Sequence, residues 1–460
     1  MPRELLLPSL LAVCVLCACT PGPDYVRPIQ ETPQAFKEAA NWKQASATPI
    51  VVEEKWWKLF NDPVLDGLED QLNIDNQNLK LAEAQYRAAR ASLDSARSAF
   101  FPSLSAAASR TRSDNAVGLA PGTNYAATAS LAWEIDVWGR IRRNVDSGEA
   151  RLQASAADLA AARLSSQALL AQSYVALRAS DLQLALLART VAAYERFLEL
   201  TRHRQRAGVA SPLDVAQAET QLATVQAQRI DLANQRAQTE HALAVLTGRP
   251  PAALSLAIAA ALPTLPATPS LLPSTLLEQR PDIIAAERRV AAANAQIGVA
   301  EAAWFPVLSL GGSLGYRNAS LDRLFDLPSR FWSLGPSLAM TLIDGGGRSA
   351  ALALAAAGHE QTVASYRQTV LTAFQEVEDN LGAARLLEQE AAAQARALAA
   401  ARRTREIAEQ QYRAGIASAL NVVTAQGAEL SAEVGAIAIA NRRLQATIQL
   451  LKNAAGRLAP

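Results

Sequence analysis

Cysteine is confined to the start of the chain: Cys14, Cys17 and Cys19 are the only three among 460 residues. Beyond them no disulfide framework and no cysteine-based metal site can form. Histidine is as scarce. His203, His241 and His359 stand far apart with no ligand spacing, so each reads as a solvated residue on a helix face. No charge of one sign dominates either, with 44 Lys and Arg against 43 Asp and Glu. Balanced charge without a basic tract excludes a nucleic-acid binder held by phosphate contacts. After the N-terminus there is no run of about 18 uninterrupted apolar residues, so no helix is expected to cross a membrane. Leu254 to Leu272 comes nearest, and Pro263, Pro266 and Pro269 interrupt it. A membrane-spanning role is thus left to barrel strands, whose signal is weak per segment.

What the chain has is aliphatic. Half of it is hydrophobic and only 5% aromatic; alanine supplies much of the apolar count. That is ample for a folded core. Alanine with leucine and valine at intervals predicts long, closely packed helices. The length alone allows two to four ordinary domains.

Residues 1–18 read as a signal segment rather than structure. Arg3 supplies a small positive charge, and Leu5 to Ala18 is apolar but too short to span a bilayer. The ending Leu16-Cys17-Ala18-Cys19 is similar to a bacterial lipoprotein signal, in which a small residue precedes the cysteine that becomes the lipidated N-terminus. Cys19 is therefore the expected lipidation site. The similarity also implies that Thr20, in place of an aspartate, directs the chain to the outer membrane.

The chain is written twice. Phe101-Pro102-Ser103-Leu104-Ser105 recurs 204 positions later as Phe305-Pro306-Val307-Leu308-Ser309. Asp136 to Gly139-Arg140 maps on Asp344 to Gly347-Arg348, 208 later. Arg206-Ala207-Gly208-Val209-Ala210-Ser211-Pro212-Leu213-Asp214 maps on Arg413-Ala414-Gly415-Ile416-Ala417-Ser418-Ala419-Leu420-Asn421, 207 later. Three ordered matches at nearly constant offset predict a tandem duplication of a unit of about 200 residues.

Each unit follows one pattern. A helix opens it, Asp62 to Ser98 and Arg280 to Ala303, each with proline and acid in its first turn. A Phe-Pro pair stops that helix. Two strand-like segments follow, about 103–112 and 123–135, then about 307–316 and 331–343. Alternation is plain in Leu308, Leu310, Gly312, Leu314 and Tyr316. A long helix comes next, with Leu170, Leu177, Leu184, Val191 and Leu198 seven apart and Val363, Val370 and Val377 likewise. Such spacing predicts a coiled-coil seam. After an Ala-Gly turn a second helix returns. Gly208 and Gly415 suit a tight reversal between helices.

Four short strands cannot close a sheet alone, and their edges would be exposed. Joining strands from other copies would close them into a barrel. Catalysis finds little support. Gly311-Gly312-Ser313-Leu314-Gly315, with Asp344 and His359 after it, matches a nucleophile-elbow pattern. No helix follows Ser313 directly, so the required strand-turn-helix context is missing. Gly345-Gly346-Gly347 lacks the spacing that cradles phosphate. No enzyme and no cofactor is expected. A structural coiled-coil lipoprotein without a pore is a third reading, against which the paired strand segments argue.

Together these residues resemble the outer-membrane factor family, TolC-like and in particular the OprM/NodT-type lipoproteins of tripartite efflux systems. The resemblance rests on Pro23-Asp24-Tyr25-Val26-Arg27-Pro28, on Trp56-Trp57 with Phe60-Asn61-Asp62-Pro63, and on Trp133-Glu134-Ile135-Asp136-Val137-Trp138-Gly139-Arg140. It rests further on Leu272-Pro273-Ser274 through Arg280-Pro281-Asp282, and on Asp344-Gly345-Gly346-Gly347-Arg348.

It implies a mainly helical fold with a small β portion. Three copies would form a homotrimer with a twelve-stranded outer-membrane barrel on a long periplasmic coiled-coil tube. The implied function is a passive exit duct for small molecules, fed by an inner-membrane transporter of the RND type through a periplasmic adaptor. Protein secretion is the alternative within the family. The expected division is a signal at 1–18, a lipid-anchored extended segment at 19–61, a first repeat at 62–250 with its hairpin at about 145–248, a linker at 251–279, and a second repeat at 280–460 with its hairpin at about 349–456.

The resemblance places a periplasmic gate at the hairpin tips. Tyr412 and Asp214 match a Tyr-to-Asp link between the two tips. Positions where many relatives carry acids are here Asn421 and Thr424, which weakens the case for an acidic ring. Leu420 matches a leucine ring, where three copies would make a constriction that resists hydrated ions by dewetting; packing within the coiled coil is the other reading. Arg206, Gly208, Arg413 and Gly415 sit in the turns that would meet the adaptor.

Overall fold

The computed structural model describes residues 21–29, 37, 55–113, 122–266 and 280–454. The signal segment, the lipidation candidate Cys19 and Thr20 lie outside the described residues. The elements are α1 (Pro63–Asp75), α2 (Gln77–Ser98), β1 (Ser103–Ser113), β2 (Gly122–Ile135), α3 (Arg140–Arg206), α4 (Pro212–Leu246), α5 (Pro281–Ala302), β3 (Val307–Asn318), β4 (Arg330–Ala339), α6 (Gly347–Arg413) and α7 (Ala419–Ala454). Helices α3 and α6 are each 67 residues long. The chain divides into two compact units. One comprises residues 1–30, 84–157 and 284–369 and holds the strands; the other comprises 31–83, 158–283 and 370–460.

In the first unit the strands form one antiparallel sheet in the order β1-β2-β3-β4. Leu104 pairs with Leu131, Leu131 with Gly312, and Gly312 with Leu334. Strand β4 ends at Ala339, short of the expected 343. Ala339 faces Val307, the first residue of β3, so Met340, Leu342 and Ile343 have no strand beside them and stand exposed. Both long helices also start earlier than expected. After β2 the Asp136 carboxylate accepts from the backbone N–H of Ile141 (3.0 Å) and Arg142 (2.9 Å), and Arg140 forms a bidentate pair with Glu134 at 2.9 and 2.7 Å. After β4, Asp344 accepts from Gly346 and Arg348 N–H in the same way. Bonding by the Arg348 backbone and side chain, with Gly346 N–H, holds the Asp344 carboxyl below the usual range. A carboxylate on the free N–H groups of a helix start is favourable. The Asp-to-Gly-Arg repeat is therefore a pair of strand-to-helix caps. A strap from the N-terminus crosses this unit: Tyr25 donates to Glu287, and Asn294 donates to the Pro23 carbonyl (2.9 Å).

The second unit is helical. Trp56, Trp57 and Phe60 pack with Leu65, Leu68 and Leu72 of α1, Leu170, Tyr174 and Leu177 of α3, Leu243 of α4 and Leu444, Ile448 and Leu451 of α7. Where one opening helix is expected over 62–98, the chain breaks at Asn76. Its backbone turns extended, its Oδ1 accepts from Leu79 N–H (3.0 Å), and its Nδ2 donates to the Leu246 carbonyl (2.7 Å). One side chain thus caps the start of α2 and the end of α4. Residues 254–259, within the expected linker, are clamped. Asp181, fully buried, pairs with Arg178 (3.0 Å) and Arg236 (2.6 Å). These arginines donate to the carbonyls of Ala257 and Leu256, and Asp181 accepts from Ala259 N–H. Helix α7 is long and apolar enough to cross a membrane by length and composition alone, although polar residues interrupt it throughout. Its Val422, Leu444, Ile448 and Leu451 are instead buried within the unit.

Candidate functional site

The sheet has two unlike faces. Side chains alternate across a strand, so the pairing register sorts them. One face carries Leu104, Ala106 and Ala108 of β1; Ala129, Leu131 and Trp133 of β2; Leu308, Leu310 and Leu314 of β3; and Trp332, Leu334 and Leu338 of β4. Leu104, Leu314, Trp332, Leu334 and Leu338 are all more than half exposed. The opposite face carries Ser103, Ser105, Thr111, Thr128, Ser130, Ser309, Ser313, Ser333 and Ser337, spaced by alanine and glycine. Hydroxyls meet across strands there, Ser309 with Ser337 at 2.8 Å and Ser313 with Ser333 at 2.7 Å. An apolar face without cover is unfavourable in water, whereas a spanning barrel needs that pattern, apolar outside and polar inside. Strands of 10 to 14 residues match the length required to span. Both outer strands, β1 and β4, leave an unpaired edge.

Ser313 lies in mid-strand with its hydroxyl on Ser333. It is no nucleophile elbow, which needs a sharp turn into a helix. Among the described residues no group of three His, Cys, Asp or Glu could hold a metal ion.

The second functional region is the pair of tips in the helical unit, α3 to α4 and α6 to α7. Both turns close alike. Gly208 (φ 74°) and Gly415 (φ 77°) take the left-handed conformation. Val209 N–H donates to the Arg204 carbonyl (2.8 Å) and Ile416 N–H to the Gln411 carbonyl (2.9 Å), the 6→1 bond of a Schellman ending. Arg206 and Arg413 close their helices and are exposed.

The structure does not join Tyr412 to Asp214. Ser211 and Asp214 form a reciprocal capping box at the start of α4, with Asp214 accepting from Ser211 N–H (2.8 Å) and hydroxyl (2.9 Å). The capping geometry occupies the carboxylate locally. Tyr412 is buried against Phe197, Leu198, Ala218, Ala419 and Val422, and its hydroxyl lies 3.3 Å from that of Thr201. Arg204 stacks over its ring at 4.5 Å and donates to its carbonyl at 2.5 Å. The link between the tips is thus made by Thr201 and Arg204 of α3, which sequence reasoning missed. The repeat hides Arg204, because its counterpart is Gln411. Thr201 had a signal: it follows Tyr194 by one heptad on the buried side.

Ala419, Val422 and Ala425 fill the core of the second tip, while Leu420 (52% exposed), Asn421 and Thr424 point away from it. Leu420 is therefore not among the buried residues of its own hairpin's core. Leu213, at the matching position of the first tip, is 65% exposed. Asn421 accepts from the Ser418 hydroxyl at 3.4 Å, and Thr424 donates to the Leu420 carbonyl at 2.8 Å.

The family model for "Outer membrane efflux protein" matches residues 68–249 and again 272–456. The chain is 33% identical over 464 residues to the outer membrane protein OprJ of Pseudomonas aeruginosa, covering 97% of this chain and 95% of that one. It is 31% identical to the toluene efflux pump outer membrane protein TtgC of Pseudomonas putida, with the same coverage. The solved structure of the outer-membrane channel OprN superposes with a TM-score of 0.87 at 31% identity, covering 95% of this chain and 99% of that one.

Proposed function

The chain belongs to the outer membrane efflux protein family, and on that premise we propose that three copies close edge to edge into the exit duct of a tripartite efflux pump. The protein acts in the outer membrane, with its helices on the periplasmic side. The observation that carries the reading is the sheet: an apolar face, a hydroxyl face and two free edges. Edge β1 of one copy pairs with edge β4 of the next, and twelve strands then leave no edge to water or lipid. The apolar face turns to lipid and the serines line the lumen. The helices continue the duct toward a periplasmic adaptor and, beyond it, an inner-membrane RND-type transporter that supplies the energy. The two repeats arise from a tandem duplication, and Cys19 carries the lipid anchor. Small molecules rather than secreted proteins are the cargo, in keeping with TtgC as a toluene efflux pump outer membrane protein.

The gate lies at the tips. Leu420, exposed in a single copy, meets its equivalents around the axis and forms an apolar constriction that dewets. Tyr412, Thr201 and Arg204 hold the two tips of each copy together. Asp214 caps its helix. Asn421 and Thr424 add hydroxyl and amide groups, without charge, just inside. The turns at Arg206, Gly208, Arg413 and Gly415 face the adaptor.

Single-channel conductance in planar bilayers tests this. The wild type is expected to open rarely, and Leu420→Ala to raise open time at least tenfold. A verified trimer that never conducts in either form would return the structural lipoprotein to first place. Equal wild-type and Leu420→Ala traces would remove the gate from Leu420.

A further inference from the structure

The rim of the sheet farthest from the helices carries a feature that export does not use. The last residues of β1 and β3, the first of β2 and β4, and the connection 319–329 lie at this end, since the other strand ends adjoin helices. Along the apolar face the register gives level rows. Ala106, Ala129, Leu314 and Trp332 form one row; Ala108, Ala127, Tyr316 and Arg330 the next; Arg110, Tyr125 and Asn318 the next; Arg112 and Thr123 the last. The order is thus aliphatic, then aromatic, then arginine. Tyr125, Tyr316 and Trp332 mark the level where a bilayer gives way to headgroups. Phe325 of the connecting loop packs on Tyr316 with ring centroids 5.5 Å apart.

Arg110, Arg112 and Arg330 are exposed and, among the described residues, take part in no ion pair. Arg110 is only steadied over the Tyr125 ring at 5.6 Å. The acids described near this rim, Asp322 and Asp326, belong to the loop and pair with none of the three. Arg317 stands at the same height but on the hydroxyl face, over the Phe331 ring. Three guanidinium groups with no ion pair among the described residues, on the lipid-facing side of a membrane rim, present forked donors that match phosphate.

We propose that Arg110, Arg112 and Arg330 form a collar that binds the phosphate groups of the phosphorylated glycolipid in the outer leaflet. The proposal rests on the barrel reading above. Arg110 and Arg112 lie on one free edge and Arg330 on the other. Closure puts the β4 edge that carries Arg330 in one copy against the β1 edge that carries Arg110 and Arg112 in the next, so a phosphate bound at the rim bridges the seam between copies. Three such seams hold nine guanidinium groups. Lipid binding then stabilises the closed trimer by mass action.

The test uses the assembled full chain in detergent, with bis-phosphorylated lipid A and its dephosphorylated form as probes, and bound lipid counted by native mass spectrometry. Wild type is expected to prefer the phosphorylated form at least tenfold. Arg110→Gln/Arg112→Gln/Arg330→Gln together should abolish that preference, while Arg317→Gln on the luminal side of the same rim should keep it. Equal binding of the two probes by wild type would overturn the proposal, as would loss with Arg317→Gln equal to that of the triple variant. If the triple variant does not assemble, Arg110→Gln and Arg330→Gln separately carry the test, each with an expected loss of about threefold in phosphate preference, on the view that each removes one of three charge-assisted contacts. Conductance of the same samples keeps the barrel reading separate: a wild type that conducts without preferring phosphate sinks the collar alone.

Discussion

At the scale of single residues, the most informative one is Glu69. Leu65, Leu68, Glu69 and Leu72 form the buried stripe of α1 at helical spacing, and neither Glu69 oxygen has a hydrogen-bond partner. Burial, with the negative charges of Asp70 and Asp66 next, holds this carboxyl well above the usual range. The folded state therefore keeps a proton that the unfolded chain releases near pH 4.3. Stability is highest below that value and falls as pH rises toward the folded value. Glu69→Met keeps length and removes the orphaned group. It is expected to raise stability by about 1–3 kcal/mol, more at pH 8 than at pH 5. Thermal unfolding at the two pH values checks this; a lower midpoint for Glu69→Met at pH 8 would refute it. The tips give a second contrast. Asp214→Ala removes a capping box and costs about 1 kcal/mol, seen as faster amide exchange in the first turn of α4 with conductance unchanged. Tyr412→Phe breaks the contact to Thr201 between the tips and is expected to lengthen channel openings. If Asp214→Ala opened the channel and Tyr412→Phe did not, the division of roles between them would be reversed.

Among the elements, residues 254–259 depend on Asp181. One carboxylate between two arginines, each also bound to a linker carbonyl, keeps an extended segment against α3 and α4. Removing one partner of a buried ion network leaves charge uncompensated, at about 3–5 kcal/mol. Asp181→Ala is expected to lower stability by that order and to open cleavage near Ala257; limited proteolysis with mapped fragments would reveal unchanged cutting if the clamp were idle. None of this was legible in the sequence, because Arg236 lies 55 residues from Asp181 and the segment they hold lies 78 residues from it. Periodic elements were legible. Heptads gave the long helices, and alternation gave β3, since a half-buried face writes itself into consecutive residues. What failed was local and context-dependent. Leu342 and Ile343 read as strand, but β3 offers no partner beyond Val307. Residues 62–98 read as one helix, but Asn76 bonds to Leu246 far along the chain. The Tyr-Asp pairing failed because Ser211, three residues away, satisfies Asp214 first.

For the whole molecule, the sheet and its expected closure fix what the duct can select. A lumen lined mainly by Ser, Thr, Ala and Gly presents hydroxyl dipoles but no fixed charge along most of its length; among the described strand residues on that face, Arg317 stands near one end and Glu134, already bonded to Arg140, at the other. Fixed rings of charge set ion preference in pores, whereas hydroxyls in a wide, hydrated barrel leave ions their water. The open wild-type channel is therefore expected to be weakly selective, with a bias toward anions from three copies of Arg317 near one mouth, screened within about 8–10 Å by physiological salt. Ser313 sits at mid-barrel, opposite Ser333 on the luminal face, where no carboxylate stands nearby. Ser313→Asp in a closed trimer places three carboxylates in one ring, far from Arg317 along the axis. In a tenfold KCl gradient the wild-type reversal potential is expected to stay near zero, and that of Ser313→Asp to move clearly to the cation-selective side, with Arg317→Gln removing the residual anion bias. Leu334→Asp, at the neighbouring position on the lipid face, is expected instead to prevent membrane assembly, because a carboxylate there meets hydrocarbon. If Ser313→Asp blocked assembly and Leu334→Asp gave a cation-selective channel, the two faces would be the wrong way round, and the closure of this sheet would have to be redrawn with its serines toward lipid.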